Sequence, residues 1–366
     1  MNALVPVPND NHRTSLARVK LEELVARGRL QAGAVIKRIL ADKPTDHLIP
    51  ARAIGFRVDD ATAVHAVTFG WDQPLHSHAL RQVVAKVGLP TAYLDRLLAK
   101  EAQPWGPELL TLNLQRLWAE ANWNRDEKLL FRSVGGVTRG VLSSRFRRLD
   151  SPIIMNAFCE ACGAVGALPC DGFATDTRVS VRAIVPTVYE PIAGEALVFG
   201  VNLQTSDYGA GSLVLNVLVV RLVCSNGLLL DRALRQVHLG KRIEGSAEFS
   251  VETHELDART IGSAINDVVR AHLAPARLDE LQAMVRTAGT KPMTGVEVEA
   301  LLKKAVTRPE AKAITEAYDS SDVVAMPAGQ TRWRLAQAMS WIAGRTQDQE
   351  RRTELMTAAG AVLQAA

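Results

Sequence analysis

Residues 195–224 read EALVFGVNLQTSDYGAGSLVLNVLVVRLVC, and this stretch decides the fold. Two apolar runs flank Asp207-Tyr208-Gly209-Ala210-Gly211, a five-residue loop with the glycines that a hairpin turn of that length needs. Centring the turn on Gly209 sets Asn202 opposite Asn216, Gln204 opposite Val214 and Ser206 opposite Ser212. The hairpin's interior amides then face each other. The second run, 213–223, is apolar on nearly both faces, so it needs cover on both sides. A ring or filament of subunits would supply that cover, which makes a homo-oligomer one expected partner state.

Upstream, residues 173–187 alternate. Val179, Val181, Ala183 and Val185 fall on one face, Arg178, Ser180, Arg182 and Ile184 on the other, the period of a strand. Further up, KLLFRSV and TRGVLSSRFRRLD are strand candidates joined by Gly135-Gly136, and a helix is expected over about 151–165 with Pro152 near its start. Beyond residue 250 the pattern turns helical. Thr294 and Glu297 have the spacing of a capping box, and TRWRLAQAMSWIAG and ERRTELMTAAGAVL read as closing helices. Near the N-terminus, residues 1–15 read as a flexible arm, and 16–41 as a helix weakened in its middle by Gly28 and Gly33. Residues 46–70 read as strands. Ser77 reads as the N-cap of a helix over 78–87, Gly88 as its end, and Pro90 as the start of a second helix.

The fold expected is α+β: an antiparallel β-sheet core over about 128–224, an N-terminal helical hairpin and a C-terminal helical region. The corresponding segments are an arm and helix over 1–45, an α/β region with the hairpin over 46–125, the sheet core over 126–250, and helices over 251–366.

Composition narrows the function. Aromatics are 5 % of 366 residues, so the core must rest on aliphatic side chains. Four cysteines do not make a disulfide framework in a chain this long. No apolar run reaches the roughly 18 residues that cross a bilayer, and the first residues lack the pattern of a secretory signal. A cytoplasmic protein with no membrane partner is expected. Phosphate-loop, dinucleotide-fold, nucleophile-elbow and zincin motifs are all missing from the sequence, which leans the reading away from an enzyme.

The cysteines raise an enzymatic or metal alternative. Cys159 and Cys162 lie three apart on the expected helix, with Cys170 beyond. One pair and a single cysteine fall short of the usual four zinc ligands, so small buried hydrophobes are the simpler reading and no metal or cofactor is expected. His76 and His78 have no third ligand at a recognisable spacing. Cys224 ends an apolar strand, where a thiol is inert; His238 is the only base near it in sequence. The run VRLVCSNGLLL, residues 220–230, reads as a corner leading from the hairpin into the helices, with Asn226 and Gly227 suited to a positive φ.

Charge is the stronger lead. Lys128–Asp150 holds six cationic residues against one acidic, and Arg221–Arg242 holds five against one. Together they exceed the chain's net charge of +4, so the remainder is acidic. That asymmetry suits a surface aimed at phosphates. The candidate nucleic-acid contacts are Arg145, Arg147 and Arg148 as one cluster, Arg178 and Arg182 as a second, and Arg221. Single-stranded DNA binding or annealing without catalysis is the expected function. The alternative is a duplex-DNA regulator using the 80–99 helical hairpin, whose second helix carries few base-reading side chains.

Four stretches also resemble a known family. They are HALRQVVAKVGLPTAYLDRLL, FRSVGGVTRGVLSSRFRRLD, RLVCSNGLLL and RWRLAQAMSWIA. In order, they are similar to motifs of the phage- and plasmid-encoded family catalogued as domain of unknown function 932. Phe146 stands where that family usually has tyrosine. The resemblance runs from about residue 45 to the C-terminus. It implies a mobile-element setting beside recombination genes, and it carries no catalytic residues across.

Overall fold

A computed structural model describes residues 11–60, 62–125, 127–223, 226–236, 250–320 and 326–365. The protein is α+β, with eleven helices and three antiparallel sheets among these residues. The chain opens on α1 (Asn11–Ala41), then β1 (Thr45–Pro50), β2 (Gly55–Val58), β3 (Val64–Thr68) and β4 (Trp71–Pro74). Three helices follow: α2 (Ser77–Lys86), α3 (Thr91–Leu97) and α4 (Trp105–Glu120). Next come β5 (Lys128–Val134), β6 (Val137–Ser143), α5 (Ser151–Ala164), β7 (Leu168–Ala174) and β8 (Val179–Ile184). The central hairpin is β9 (Leu197–Thr205) and β10 (Leu213–Arg221), with β11 (Asn226–Gln236) beside it. The chain closes with α6 (Val251–His272), α7 (Pro275–Thr290), α8 (Gly295–Ala305), α9 (Arg308–Asp319), α10 (Arg332–Arg345) and α11 (Gln349–Gln364).

The central hairpin has the register its loop implies: Asn202 pairs with Asn216 and Gln204 with Val214. Ser206 and Ser212 lie beyond the ladder, in the turn. The strands expected over 128–224 nevertheless divide between two sheets. β5 and β6 join β1 in a three-stranded sheet, while β7 to β11 form a five-stranded one in the order β11-β10-β9-β8-β7. β1 is drawn from before residue 50, so this small sheet crosses the expected segment boundary at 125/126.

Residues 220–230 are a second correction. They turn back into β11, pairing Gly227 with Val220, and Gly227 has no positive φ. The apolar run that resumes at Leu228–Leu230 is too short to show a period, so strand and helix cannot be separated from pattern alone. Gly227 packs against α11: a Cβ there would lie 2.8 Å from the mobile end of the Met356 side chain. Cys224 and Ser225, and His238, Lys241 and Arg242, lie outside the described residues.

The five-stranded sheet is covered on both faces. Leu215, Val217 and Val219 of β10 join a core with Phe158 of α5 and Ile265 of α6. Leu218 and Val220 meet Leu21 and Leu24 of α1 and Leu355 and Met356 of α11 on the other face. The cover that β10 demands is therefore met inside the chain. A separate core built on Phe56, Leu80, Val83, Leu94, Leu114, Trp118 and Phe131 holds the N-terminal strands and α2 to α4 together.

Three local expectations shift. The helix begins at Asn11, within the segment read as an arm, and runs unbroken through both glycines. Gly28 has a packing reason: a Cβ there would sit 2.3 Å from the Cα of Cys170, so α1 crosses β7 at backbone contact. At α2 the cap is His76, whose Nδ1 accepts from His78 N at 3.2 Å; Ser77 is the first helical residue. Capping boxes form at Thr294/Glu297 and also at Thr307/Glu310.

Candidate nucleic-acid interface

The six arginines singled out in the sequence lie in very different settings. Arg145 is exposed. Arg147 grips Asp257 of α6 with Nε and Nη2, both at 2.5 Å. Arg148 Nε lies 3.1 Å from Asp46 of β1. Arg178 donates to the Ala210 carbonyl and pairs with Glu350 at 3.0 Å. Arg182 and Arg221 are 3 % exposed and sit in interior ion pairs, with Asp171 and Glu195 respectively. Arg182 and Arg221 therefore form no open basic face of the kind their sequence pattern implies; each is already engaged by a carboxylate. The carboxylates that neutralise this basic stretch come from positions 42, 46 and 257, so a local count of charge could not see them.

What these pairs build is a junction between the β1-β5-β6 sheet and the five-stranded sheet. Arg132, 1 % exposed, donates Nε to Asp46 and Nη2 to Asp150, both at 2.7 Å, and Nη1 to the Asp207 carbonyl at 2.9 Å. The Phe146 ring covers it, with the guanidinium carbon 6.0 Å from the ring centre. Asp207 Oδ1 accepts from Ser151 N and Oγ at 2.9 and 2.8 Å. Burial pushes the Asp207 carboxyl up to about 6, opposed by the Arg132 charge and reinforced by Asp150. The loop of the β9–β10 hairpin thus plugs onto β6. Gly140 permits the approach, since a Cβ there would lie 3.1 Å from the Tyr208 carbonyl. Gln82 of α2 fastens both sides, donating to the Tyr208 carbonyl at 2.9 Å and accepting from Val141 N at 2.7 Å.

Beside this plug is a small, open cleft lined by Arg38, Asp42, Arg139, Asp176, Arg178 and Tyr208, among others. Its charges are largely spoken for. Asp42 accepts from Arg38 at 2.8 Å and Arg139 at 2.6 Å, and these two cations hold its carboxyl below the usual range despite burial. His76 lies 3.4 Å from Asp176, and His78 contacts the Tyr208 carbonyl.

Unengaged cations lie elsewhere, on α1. Arg18, Arg27, Arg29, Lys37 and Lys43, the last just beyond the helix, are in no ion pair among the described residues; all are exposed. Leu16, Val19, Leu30, Ile36 and Leu40 are exposed on the same helix. Nothing in the sequence marks this surface as basic, because two glutamates and an aspartate dilute the charge of the segment. Folding removes part of the dilution: Glu23 takes Lys20, and Asp42 takes Arg38 and Arg139, while Glu22 is in no ion pair among the described residues.

The other candidates resolve simply. Leu94 and Leu97 of α3 are buried, and Asp95 is tied to Arg81 of α2 at 2.5 Å. The seven-residue α3 offers little to a DNA groove. Cys162 and Cys170 are buried, which pushes both thiols up, Cys170 to about 12. Cys159 is exposed, and partial burial pushes its thiol up as well. None is a poised nucleophile. Among the described residues no three His, Cys, Asp or Glu side chains converge on a metal-sized site, and no helix is long and apolar enough to cross a membrane. No protein-family model matches the chain, and no curated protein or solved structure matches it.

Proposed function

We propose that the chain is a non-enzymatic nucleic-acid-binding protein that holds single strands by their phosphates, serving recombination or replication in a phage- or plasmid-like setting. The observation that carries this reading is the outer surface of α1. From Arg18 to Lys37 it spans about 28 Å, long enough for several backbone phosphates. Arg18, Arg27, Arg29, Lys37 and Lys43 are in no ion pair among the described residues, so phosphate bound to them displaces no carboxylate. Exposed Leu30 and Leu40 lie between them along the chain, with exposed Leu16 just before. Unpaired bases have bare faces that pack on such surface, whereas a duplex hides them. Arg145 is the one arginine of the original six that is still exposed and joins the proposed contacts. The setting rests on the four family-like stretches alone.

The test is a salt series of binding to single-stranded and duplex oligonucleotides by the full chain. Single strands should bind more tightly. Arg29→Gln and Lys37→Gln should each lower the log–log salt slope by about 0.7, the increment for one phosphate contact on a single strand. No binding to either nucleic acid at low salt removes the reading, and tighter binding to duplex favours a regulator.

A further inference from the structure

One polar cluster lies on the face of the five-stranded sheet that α1 and α11 cover. Arg182, 3 % exposed, bonds the Asp171 carboxylate with Nη1 and donates Nε to Asn202 Oδ1 at 3.2 Å. Its Nη2 reaches Thr353 Oγ1 of α11 at 3.5 Å. Arg352, one residue before, approaches the same Asp171 oxygen at 3.5 Å. Arg27 of α1 is brought alongside by the backbone contact at Gly28, close enough to act electrostatically on Cys170 and on Arg352. The neighbouring pair Arg178–Glu350 is closed on itself.

One carboxylate therefore meets two guanidiniums, with the Arg27 charge alongside. A buried positive excess is costly, and arginine cannot shed it by losing a proton. Donors are also left over. Arg352 Nε is buried and bonds nothing, and neither does Nδ2 of Asn202, which is 0 % exposed. Burial, together with the Arg182 and Arg27 charges, pushes the Arg352 guanidinium below its ordinary value against the pull of Asp171. The site lacks acceptors and negative charge. An oxyanion supplies both, and the guanidinium fork matches a phosphoryl group. Arg27 is exposed and the Arg352 side chain is 26 % exposed, so the cluster has an open edge.

We propose that Arg27, Arg182 and Arg352 form a discrete binding site for one phosphoryl group. Its source is a backbone phosphate of the strand that lies along α1; only this choice of source rests on the nucleic-acid reading.

The test uses the full chain at constant ionic strength. Inorganic phosphate is titrated calorimetrically, then in the presence of oligodeoxythymidine. One saturable phosphate is expected. Its affinity should fall at least tenfold in Arg27→Gln, an exposed position that leaves the fold intact, and in Arg352→Gln, and should be unchanged in Arg116→Gln. Oligodeoxythymidine should compete. Phosphate binding without oligonucleotide binding keeps the site, assigns it to a small phosphate, and removes the nucleic-acid reading. Oligonucleotide binding with no saturable phosphate, and no effect of Arg27→Gln, overturns the site and leaves that reading standing.

Discussion

Arg221 Nε lies 2.5 Å from Glu195 Oε2, and its Nη2 lies 2.6 Å from Oε1, a two-pronged ion pair closed inside the protein. The indole Nε1 of Trp333, on α10, donates to the same carboxylate at 3.0 Å. This pair ties the end of β10 to the start of β9 and to the C-terminal helices.

Removing one partner leaves a buried charge. Arg221→Met should destabilise by about 3–5 kcal/mol, and Glu195→Gln by a similar amount. The double variant should recover much of the loss. A double-mutant cycle by urea unfolding checks this; simple addition of the two losses would show that the pair is not coupled.

The two glycines in the middle of α1 should respond in opposite directions. At Gly33 nothing lies within 4 Å of a Cβ, so Gly33→Ala should stabilise by about 0.5–1 kcal/mol through helix propensity. At Gly28 the Cβ would collide with the backbone of Cys170 and Pro169. Gly28→Ala should destabilise and loosen α1, read as a lower melting temperature and faster amide exchange in β7. Equal effects at both sites would contradict the close crossing.

Asp207 makes a pH prediction. Its folded value, about 6, is above its ordinary 3.8. The folded state therefore binds the proton more tightly than the unfolded chain does. The stability it contributes is full below about 3.8 and is lost as pH rises through 6. The wild type should lose stability relative to Asp207→Asn across that window, by at most roughly 3 kcal/mol. Urea midpoints of both proteins from acid to neutral pH check it; a constant difference would rule it out.

Glu310 should act with the opposite sign. Arg351, bonded to it at 2.8 and 2.5 Å, holds its carboxyl down to about 2, assisted by Thr307. Its contribution is present above 4.5 and disappears as pH falls toward 2. Glu310→Gln should flatten the acid limb by on the order of 1–2 kcal/mol, allowing for solvent screening. Melting temperatures on the acid side, compared between the two proteins, measure it.

The sequence by itself determined the features that neighbours in the chain control. The register of Asn202 against Asn216 follows from the loop around Gly209, and the cap at Thr294 follows from a glutamate three residues on. Hairpin geometry and helix capping act over a few residues, so a local pattern suffices. Only the tertiary structure decided where the charges went. Arg182 and Arg221 carry the same basic signature in the sequence as Arg29 and Lys37, yet the first two are buried against Asp171 and Glu195 while the last two face solvent unpaired. Carboxylates meet arginines through space, often across tens of residues of chain, and a count along the sequence has no access to that distance. The same holds for β11, whose apolar run Leu228–Leu230 took strand geometry with β10 paired beside it and α11 packed against it.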